Sequence, residues 1–196
     1  MDRKFGIASS GRRDPSSLGF SSPELVGYQP FSYRDLHEIF GIVPATRDDS
    51  LLDLGSGMGR AVCVAAATQP FRSVTGIEIS PELCAIARRN LDRVRLKLQS
   101  RDVEILNCDV KNYCIPGHIT ILLMFNPFNG ATLEAALRRV RESLEHCPRQ
   151  VRLLFYGTVS SIGFRQAALA HSWLSFENEK VLSTGAVVLS YLAQGT

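Results

Sequence analysis

Short apolar runs alternate with amphipathic stretches from Ser50 almost to the end of the chain. Apolar runs bounded by Gly, Asp or Asn predict buried strands, and apolar residues spaced three and four apart predict helices between them. The predicted strands are SLLDLG, SVTGIEI, VEILNCD, HITILLMFN, RQVRLLFYG, WLSFENEKVLS and GAVVLSYLA. Because helices alternate with fully apolar strands, the pattern predicts a mostly parallel sheet covered by helices on both faces.

The last two strands break this alternation. They are separated by a turn at Thr184-Gly185 and not by a long helix, so they predict an antiparallel hairpin at the sheet edge. The expected fold is a single Rossmann-like α/β domain with a mostly parallel seven-stranded sheet and an antiparallel edge hairpin.

The N-terminal part divides into two segments. Residues 1–22 are rich in Ser, Gly and Arg and predict a flexible tail. Residues 23–196 form the predicted domain, and its N-terminal segment 23–45 contains a short helix. Ser32 is the expected N-cap of this helix, which turns three apolar side chains inward: Leu36, Ile39 and Phe40.

Composition limits the class of protein only broadly. The 196 residues suit one globular domain, with 45% hydrophobic and 21% charged residues. A net charge of +3 permits an acidic partner without requiring nucleic acid. Five scattered cysteines, with no secretory signal and no membrane-spanning run, predict reduced core thiols in a cytoplasmic protein without a membrane partner. None of the four histidines has a partner at metal-ligand spacing, so no metal is expected.

The first strand runs into a glycine loop, DLGSGMGRA, with glycines at positions 55, 57 and 59. The spacing departs from the dinucleotide fingerprint, because Arg60 stands where the third small residue is required. Asp53 directly precedes the loop, and an acid there disfavours a pyrophosphate but suits an ammonium or a sulfonium. The loop therefore predicts a ligand that carries positive charge.

Two more acids end the next two strands. Glu78 ends the second strand, where a carboxylate can accept both ribose hydroxyls, and Asp109 ends the third, where it can accept from an adenine amino group. Because the carboxyl ends of parallel strands meet at one edge of a sheet, we expect one nucleoside site there.

The segments LLDLGSGMGRA, GIEIS and NCDV together resemble the class I S-adenosylmethionine-dependent methyltransferases, over roughly Ser50 to Leu192. The resemblance implies S-adenosyl-L-methionine as cofactor. It also implies that Glu78 holds the ribose, Asp109 the adenine amino group, and that Ile79 lies against the ring. The methionine part would be held by five residues: Asp53, Gly55, Ser56, Gly57 and Gly59.

At the end of the fourth strand the chain reads FNPFNG. Asn126, Pro127 and Phe128 resemble the D/N-P-P-Y/F motif of methyltransferases that modify amino nitrogens, with one proline missing. By that resemblance a polar side chain and a backbone carbonyl accept hydrogen bonds from the target amine, and the ring packs on it. The alternative is that Asn126-Pro127 only ends the strand and Phe128 caps the core.

The segment GYQPFSY before the first helix resembles the non-SET protein-lysine methyltransferases. It implies that Tyr28, Pro30 and Ser32 line the substrate side; the alternative is a helix-entry turn with packed aromatics. The sequence thus predicts an enzyme that methylates a nitrogen nucleophile, with a protein lysine or another protein amine as the preferred acceptor. A small-molecule acceptor and a non-catalytic donor-binding module stay open as alternatives, and nucleic acid is not expected because the arginines do not concentrate around the predicted cleft.

Replacing Asp53 or Glu78 by Ala is expected to weaken donor binding with little loss of fold, since both should lie at exposed strand ends.

Overall fold

The computed structural model describes residues 5–157 and 162–195. It contains one seven-stranded sheet with the order β3-β2-β1-β4-β5-β7-β6. The strands are β1 Ser50–Leu54, β2 Ser73–Glu78, β3 Asp102–Asn107, β4 Ile121–Phe125, β5 Gln150–Gly157, β6 Leu174–Val181 and β7 Val187–Gln194. Strands β1 to β5 pair in parallel, whereas β7 pairs antiparallel with both β5 and β6. The predicted fold class and its edge hairpin are confirmed.

Helix α1 precedes β1, and the other four helices lie in connections between strands. They are α1 Tyr33–Ile42, α2 Arg60–Thr68, α3 Pro81–Val94, α4 Gly130–His146 and α5 Ile162–Leu169. The Ser32 hydroxyl caps α1 by accepting from the Asp35 N–H at 3.4 Å, as the sequence predicted. The helices within the described ranges are too short or too polar to serve as membrane spans.

The sheet divides the core into two layers. Leu51 on β1 packs with helices α1 to α3, whereas its neighbour Leu52 packs with α4 and α5 on the opposite face. Successive side chains of a strand point to opposite faces, so a sheet buried on both sides needs an unbroken apolar run. That requirement explains why these strands read as continuous hydrophobic segments.

The N-terminal segment differs from the predicted flexible tail. Within residues 5–22, Phe5, Ile7 and Ser9 are buried, and Phe5 stacks on Tyr33 with ring centroids 5.6 Å apart. The Asn90 side chain accepts from the Ala8 N–H at 2.8 Å and donates to the Ala8 carbonyl at 3.0 Å. These contacts contradict the tail interpretation at residues 5–9, where a few apolar side chains and backbone hydrogen bonds anchor a segment of polar average composition. Residues 1–4 of the predicted tail lie outside the described residues.

The cysteines also depart in part from expectation. All five are free, and Cys63 and Cys84 are buried as predicted. Cys114 and Cys147 are exposed, because both lie in connecting segments at the surface. Burial raises the pKa of the Cys63 thiol to about 12, so this residue stays an uncharged core side chain.

Candidate active site

A cleft opens at the carboxyl edge of the sheet, at the end of β1, which lies between β2 and β4. Strand order reverses at this point, which is where ligands bind in open α/β sheets. The cleft holds about 950 Å³ of space not filled by protein atoms, part of it open to solvent. Most of the predicted site residues line it: Tyr28, Asp53, Gly55, Ser56, Gly57, Glu78, Ile79, Asp109, Pro127 and Phe128.

Asp53 lies at the floor of the cleft with only 3% of its surface exposed. Within the described part of the chain, no group donates a hydrogen bond to its carboxylate. Burial, followed by the nearby charge of Glu78, raises the pKa of Asp53 to about 7. The arrangement favours either a proton on Asp53 or a positively charged ligand beside it.

Glu78 joins the glycine loop to the start of α3. Its Oε2 accepts from the Gly57 N–H at 2.9 Å, and its Oε1 accepts from the Ser80 N–H, also at 2.9 Å. Burial raises the pKa of Glu78, although the hydrogen bonds from backbone N–H groups oppose this shift. Since each carboxylate oxygen carries two lone pairs, each can still accept one more hydrogen bond from a ligand.

The expectation that Asp53 and Glu78 lie exposed at strand ends is therefore wrong. Both are buried, and they lie in a cleft that residues of the glycine loop and of the N-terminal segment also line. Asp109 is more accessible and caps a short 3₁₀ turn, with its Oδ1 accepting from the Lys111 N–H at 2.9 Å. Its other oxygen lies 3.7 Å from the Lys111 ammonium and remains in the cleft.

Two glycines of the loop are required by close approaches. Gly55 has φ +83°, and a Cβ there would overlap Pro127. Gly57 has φ +55°, and a Cβ there would overlap the ring of Tyr28. Gly59 instead lies outside the cleft lining, against Ala87 of α3. The glycine loop thus brings the N-terminal segment and the loop after β4 against the end of β1.

The loop after β4 separates the cleft from a second cavity. Pro127 lines the cleft, Asn126 lines the second cavity, and Phe128 lines both. The second cavity holds about 1210 Å³ of space not filled by protein atoms, part of it open to solvent, between the loop, α4 and α5. No lysine or arginine is among the described residues that line it. Asn126 has φ +40°, the only positive φ of a non-glycine residue in the described ranges, and such strain often marks a functional position.

The segment before α1 contributes less to the cleft than predicted. Tyr28 lines it and donates from its hydroxyl to the Ser9 carbonyl at 2.6 Å. Pro30 and Ser32 do not line it, and the Ser32 hydroxyl is engaged as the cap of α1. Gln29 and Phe31, on either side of Pro30, do line the cleft, and the substrate-side roles of Pro30 and Ser32 stay predictions.

Sequence reasoning missed the residues that hold the N-terminal segment over the cleft. The Arg60 guanidinium donates to the Ser9 hydroxyl at 2.9 Å, to the Ser9 carbonyl at 3.1 Å and to the Phe31 carbonyl. Phe31 packs against Phe125 and Tyr156 with ring centroids 4.3 and 4.5 Å away. The sequence did single out Arg60, but only as an argument against a dinucleotide site.

The fold, with its glycine loop after β1 and an acid at the end of β2, is that of the class I S-adenosylmethionine-dependent methyltransferases. Residues 51–146 match the family model described as a methyltransferase domain. This match, together with solved methyltransferases that share the fold, supports an S-adenosylmethionine-dependent methyltransferase domain and agrees with the resemblance seen in the sequence.

Three relatives illustrate the similarity. A release factor glutamine methyltransferase from Koribacter versatilis (strain Ellin345) is 26% identical over 128 residues, which cover 64% of this chain and 44% of that protein. An RNA methyltransferase from Salinibacter ruber, crystallised with S-adenosyl-L-homocysteine, has a TM-score of 0.63 at 21% identity, covering 86% of this chain and 95% of its own. A SAM-dependent methyltransferase from Aquifex aeolicus has a TM-score of 0.64 at 13% identity, with coverage of 81% and 89%. The chain spans less than half of the length of the curated relatives it matches.

Proposed function

We propose that this protein transfers a methyl group from S-adenosylmethionine to a nitrogen nucleophile, with a protein amine such as lysine as the preferred acceptor. One observation carries the proposal: Asp53, Glu78 and Asp109, from the ends of three adjacent strands, line a single cleft with the glycine loop. The proposal concerns the whole protein's activity, whereas the domain class rests on the family match.

The residues present fit the donor. Asp53 is a buried acid without a hydrogen-bond donor in the described ranges, which suits an ammonium or sulfonium beside it. The Ser56 hydroxyl has no hydrogen-bond partner among the described residues, but its oxygen is buried against Gly76 of β2, so Ser56 would contribute its backbone and not its hydroxyl to the cleft wall. Glu78 would accept from the ribose hydroxyls, Asp109 from the adenine amino group, and Ile79 would lie against the adenine. When bound, the donor supplies an electrophilic methyl group on a sulfonium.

The acceptor would reach the donor past Phe128. This ring lines both cavities, so the donor cleft and the proposed acceptor cavity share the Phe128 side chain. The Asn126 Oδ1 would accept a hydrogen bond from the acceptor nitrogen and so orient its lone pair for an in-line displacement. The Pro127 carbonyl already accepts from the Val26 N–H at 3.1 Å, so it can contribute only its second lone pair.

The nature of the acceptor is the finer part of the proposal. The second cavity has amides from Asn126, Asn129 and Gln166 and no cationic residue among its described lining, which favours a side chain of a polypeptide over a phosphate-bearing acceptor. The relative from Koribacter is a glutamine methyltransferase, which supports nitrogen as the methylated atom. The neighbour from Salinibacter acts on RNA, so RNA belongs among the acceptors to be tested.

The test uses the full chain with radioactive S-adenosylmethionine and a cell lysate separated into protein, RNA and small-molecule fractions. We expect label in the protein fraction, loss of at least tenfold with Asn126→Ala, and unchanged binding of S-adenosylhomocysteine by that variant. Asn178→Ala on exposed β6 is the matched control and should keep full activity. Binding of the donor product without label in any fraction would favour a non-catalytic module, and label only in RNA would replace the proposed acceptor.

A further inference from the structure

The N-terminal segment, residues 5–31, is here called the strap, and it pairs directly with the loop after β4. The Asn129 N–H donates to the Glu24 carbonyl at 2.9 Å, and the Val26 N–H donates to the Pro127 carbonyl at 3.1 Å. Leu25 forms an antiparallel bridge with Phe128 between these two hydrogen bonds. The strap and the loop that carries Phe128 thus move as one unit unless these backbone bonds break.

The side chain of Glu24 adds a second connection. Helix α4 has no cap from its own N-cap residue, Asn129. Instead, the Glu24 Oε1 accepts from the Ala131 N–H at 3.0 Å, and its Oε2 accepts from the Thr132 N–H at 3.1 Å and the Thr132 hydroxyl at 2.6 Å. A residue more than a hundred positions away therefore satisfies the free N–H groups at the start of α4, and its charge complements the helix dipole.

Two further features agree with this contact. Gly130 has φ +54°, and a Cβ there would lie 3.1 Å from the Glu24 Oε1, so the absence of a side chain at Gly130 makes room for the carboxylate. The hydrogen bonds from Thr132 and Ala131 lower the pKa of Glu24, so the carboxylate is charged near neutral pH.

The strap also forms the roof of the donor cleft. Residues on both sides of Glu24 line the cleft, among them Phe20, Val26 and Tyr28. Arg60 holds both ends of the strap, through Ser9 near its start and Phe31 at its end. Glu24 therefore connects the part of the strap that covers the cleft to the start of α4, a helix that also lines the second cavity.

We propose that Glu24 is a positioning residue for methyl transfer: it fixes the strap over the donor and holds Phe128 between the donor cleft and the second cavity. The inference rests on the proposed function. It assigns Glu24 no contact with either substrate, and its effect passes through the strap and through the start of α4.

The test compares Glu24→Gln with Glu38→Gln in the full chain. Glu38 is a suitable control because its carboxylate accepts from the N–H and the hydroxyl of Ser183, and it does not line the cleft. Both variants remove one negative charge and weaken the hydrogen bonds that one carboxylate accepts. The measurements are the release rate of S-adenosylhomocysteine by stopped flow, the midpoint of thermal unfolding, and the rate of tryptic cleavage after Arg12 and Arg13 within the strap.

We expect Glu24→Gln to release S-adenosylhomocysteine about five to ten times faster, the factor that loss of one helix cap implies, and to be cleaved faster in the strap by a similar factor. Glu38→Gln should change neither rate by more than about twofold, even if its midpoint of thermal unfolding falls as far as that of Glu24→Gln. Equal release rates for the two variants would show that Glu24 is only a structural cap and would overturn its positioning role. Failure of the wild-type chain to bind S-adenosylhomocysteine would instead overturn the proposed function, and this inference with it.

Discussion

The contact between Gly57 and Tyr28 offers a sharp test of how the glycine loop supports the roof of the cleft. Gly57 has φ +55°, and the ring of Tyr28 lies where its Cβ would be. Gly57→Ala therefore combines two costs, a strained backbone and an overlap with an aromatic ring. Gly185 has φ +84° with nothing within 4 Å of a built Cβ, so Gly185→Ala carries the first cost alone.

The two costs can be estimated separately. A left-handed conformation costs an L-residue roughly 1–2 kcal/mol, which is the whole expected effect of Gly185→Ala. Overpacking adds about 1–3 kcal/mol, so Gly57→Ala should lower the free energy of unfolding by roughly 2–5 kcal/mol. Removing the ring with Tyr28→Ala should relieve the overlap. The double variant is then expected to be more stable than the sum of the single changes by about 1–3 kcal/mol.

The assay is urea unfolding of the wild type, the three single variants and the double variant, followed by far-UV circular dichroism. A coupling free energy near zero between positions 57 and 28 would refute the close packing, as would equal losses for Gly57→Ala and Gly185→Ala. Binding of S-adenosylhomocysteine, measured on the same proteins, should weaken with Gly57→Ala and be unaffected by Gly185→Ala, because Gly185 lies in the distant β6–β7 turn.

Three further changes test the buried acids. Asp53 has a pKa of about 7 in the folded protein, against about 4 in the unfolded chain. Between these pH values the folded state binds more protons than the unfolded state. The free energy of unfolding should therefore fall by up to about 4 kcal/mol as pH rises from 4 to 7. Asp53→Asn should reduce this fall in urea titrations at several pH values, and an unchanged profile would contradict the assignment. Glu78→Gln replaces an acceptor of the Gly57 and Ser80 N–H groups with an NH₂, and calorimetric unfolding should report a loss of about 1–3 kcal/mol together with weaker donor binding. Tyr156→Phe removes the hydrogen bond to buried Asp35 and should cost about 1–3 kcal/mol in chemical denaturation, with full stability as the outcome that would speak against this contact.

The sheet and its helices could be predicted from sequence because their signals are local. A strand buried on both faces must be apolar throughout, as in Leu51 to Leu54 apart from Asp53, and the cap of α1 depends on a single residue, Ser32. The position of the cleft followed from topology, since the carboxyl ends of parallel strands meet at one edge. These inferences needed no contact between distant segments.

The strap could not be predicted because its fold depends on such contacts. Phe5 and Ile7 are isolated apolar residues in a polar stretch, and their burial becomes favourable only in the assembled core, where Phe5 stacks on Tyr33 of α1. The role of Glu24 is invisible for the same reason, because its partners in α4 lie more than a hundred residues away. For Asp53 and Glu78 the strand ends were located correctly, but their burial depends on the strap that closes over them.

Burial of Asp53 links the strap to the chemistry of the site. A carboxylate at an open strand end would be hydrated, and its attraction to a cationic ligand would be weakened by water. Under the strap the same carboxylate is desolvated and has no described donor, so the protein alone leaves its charge uncompensated. A ligand with an ammonium or sulfonium supplies the missing charge, and its attraction is stronger at low dielectric. We therefore expect a ligand bound in the cleft under the strap to be attracted to Asp53 more strongly than it would be at an open strand end.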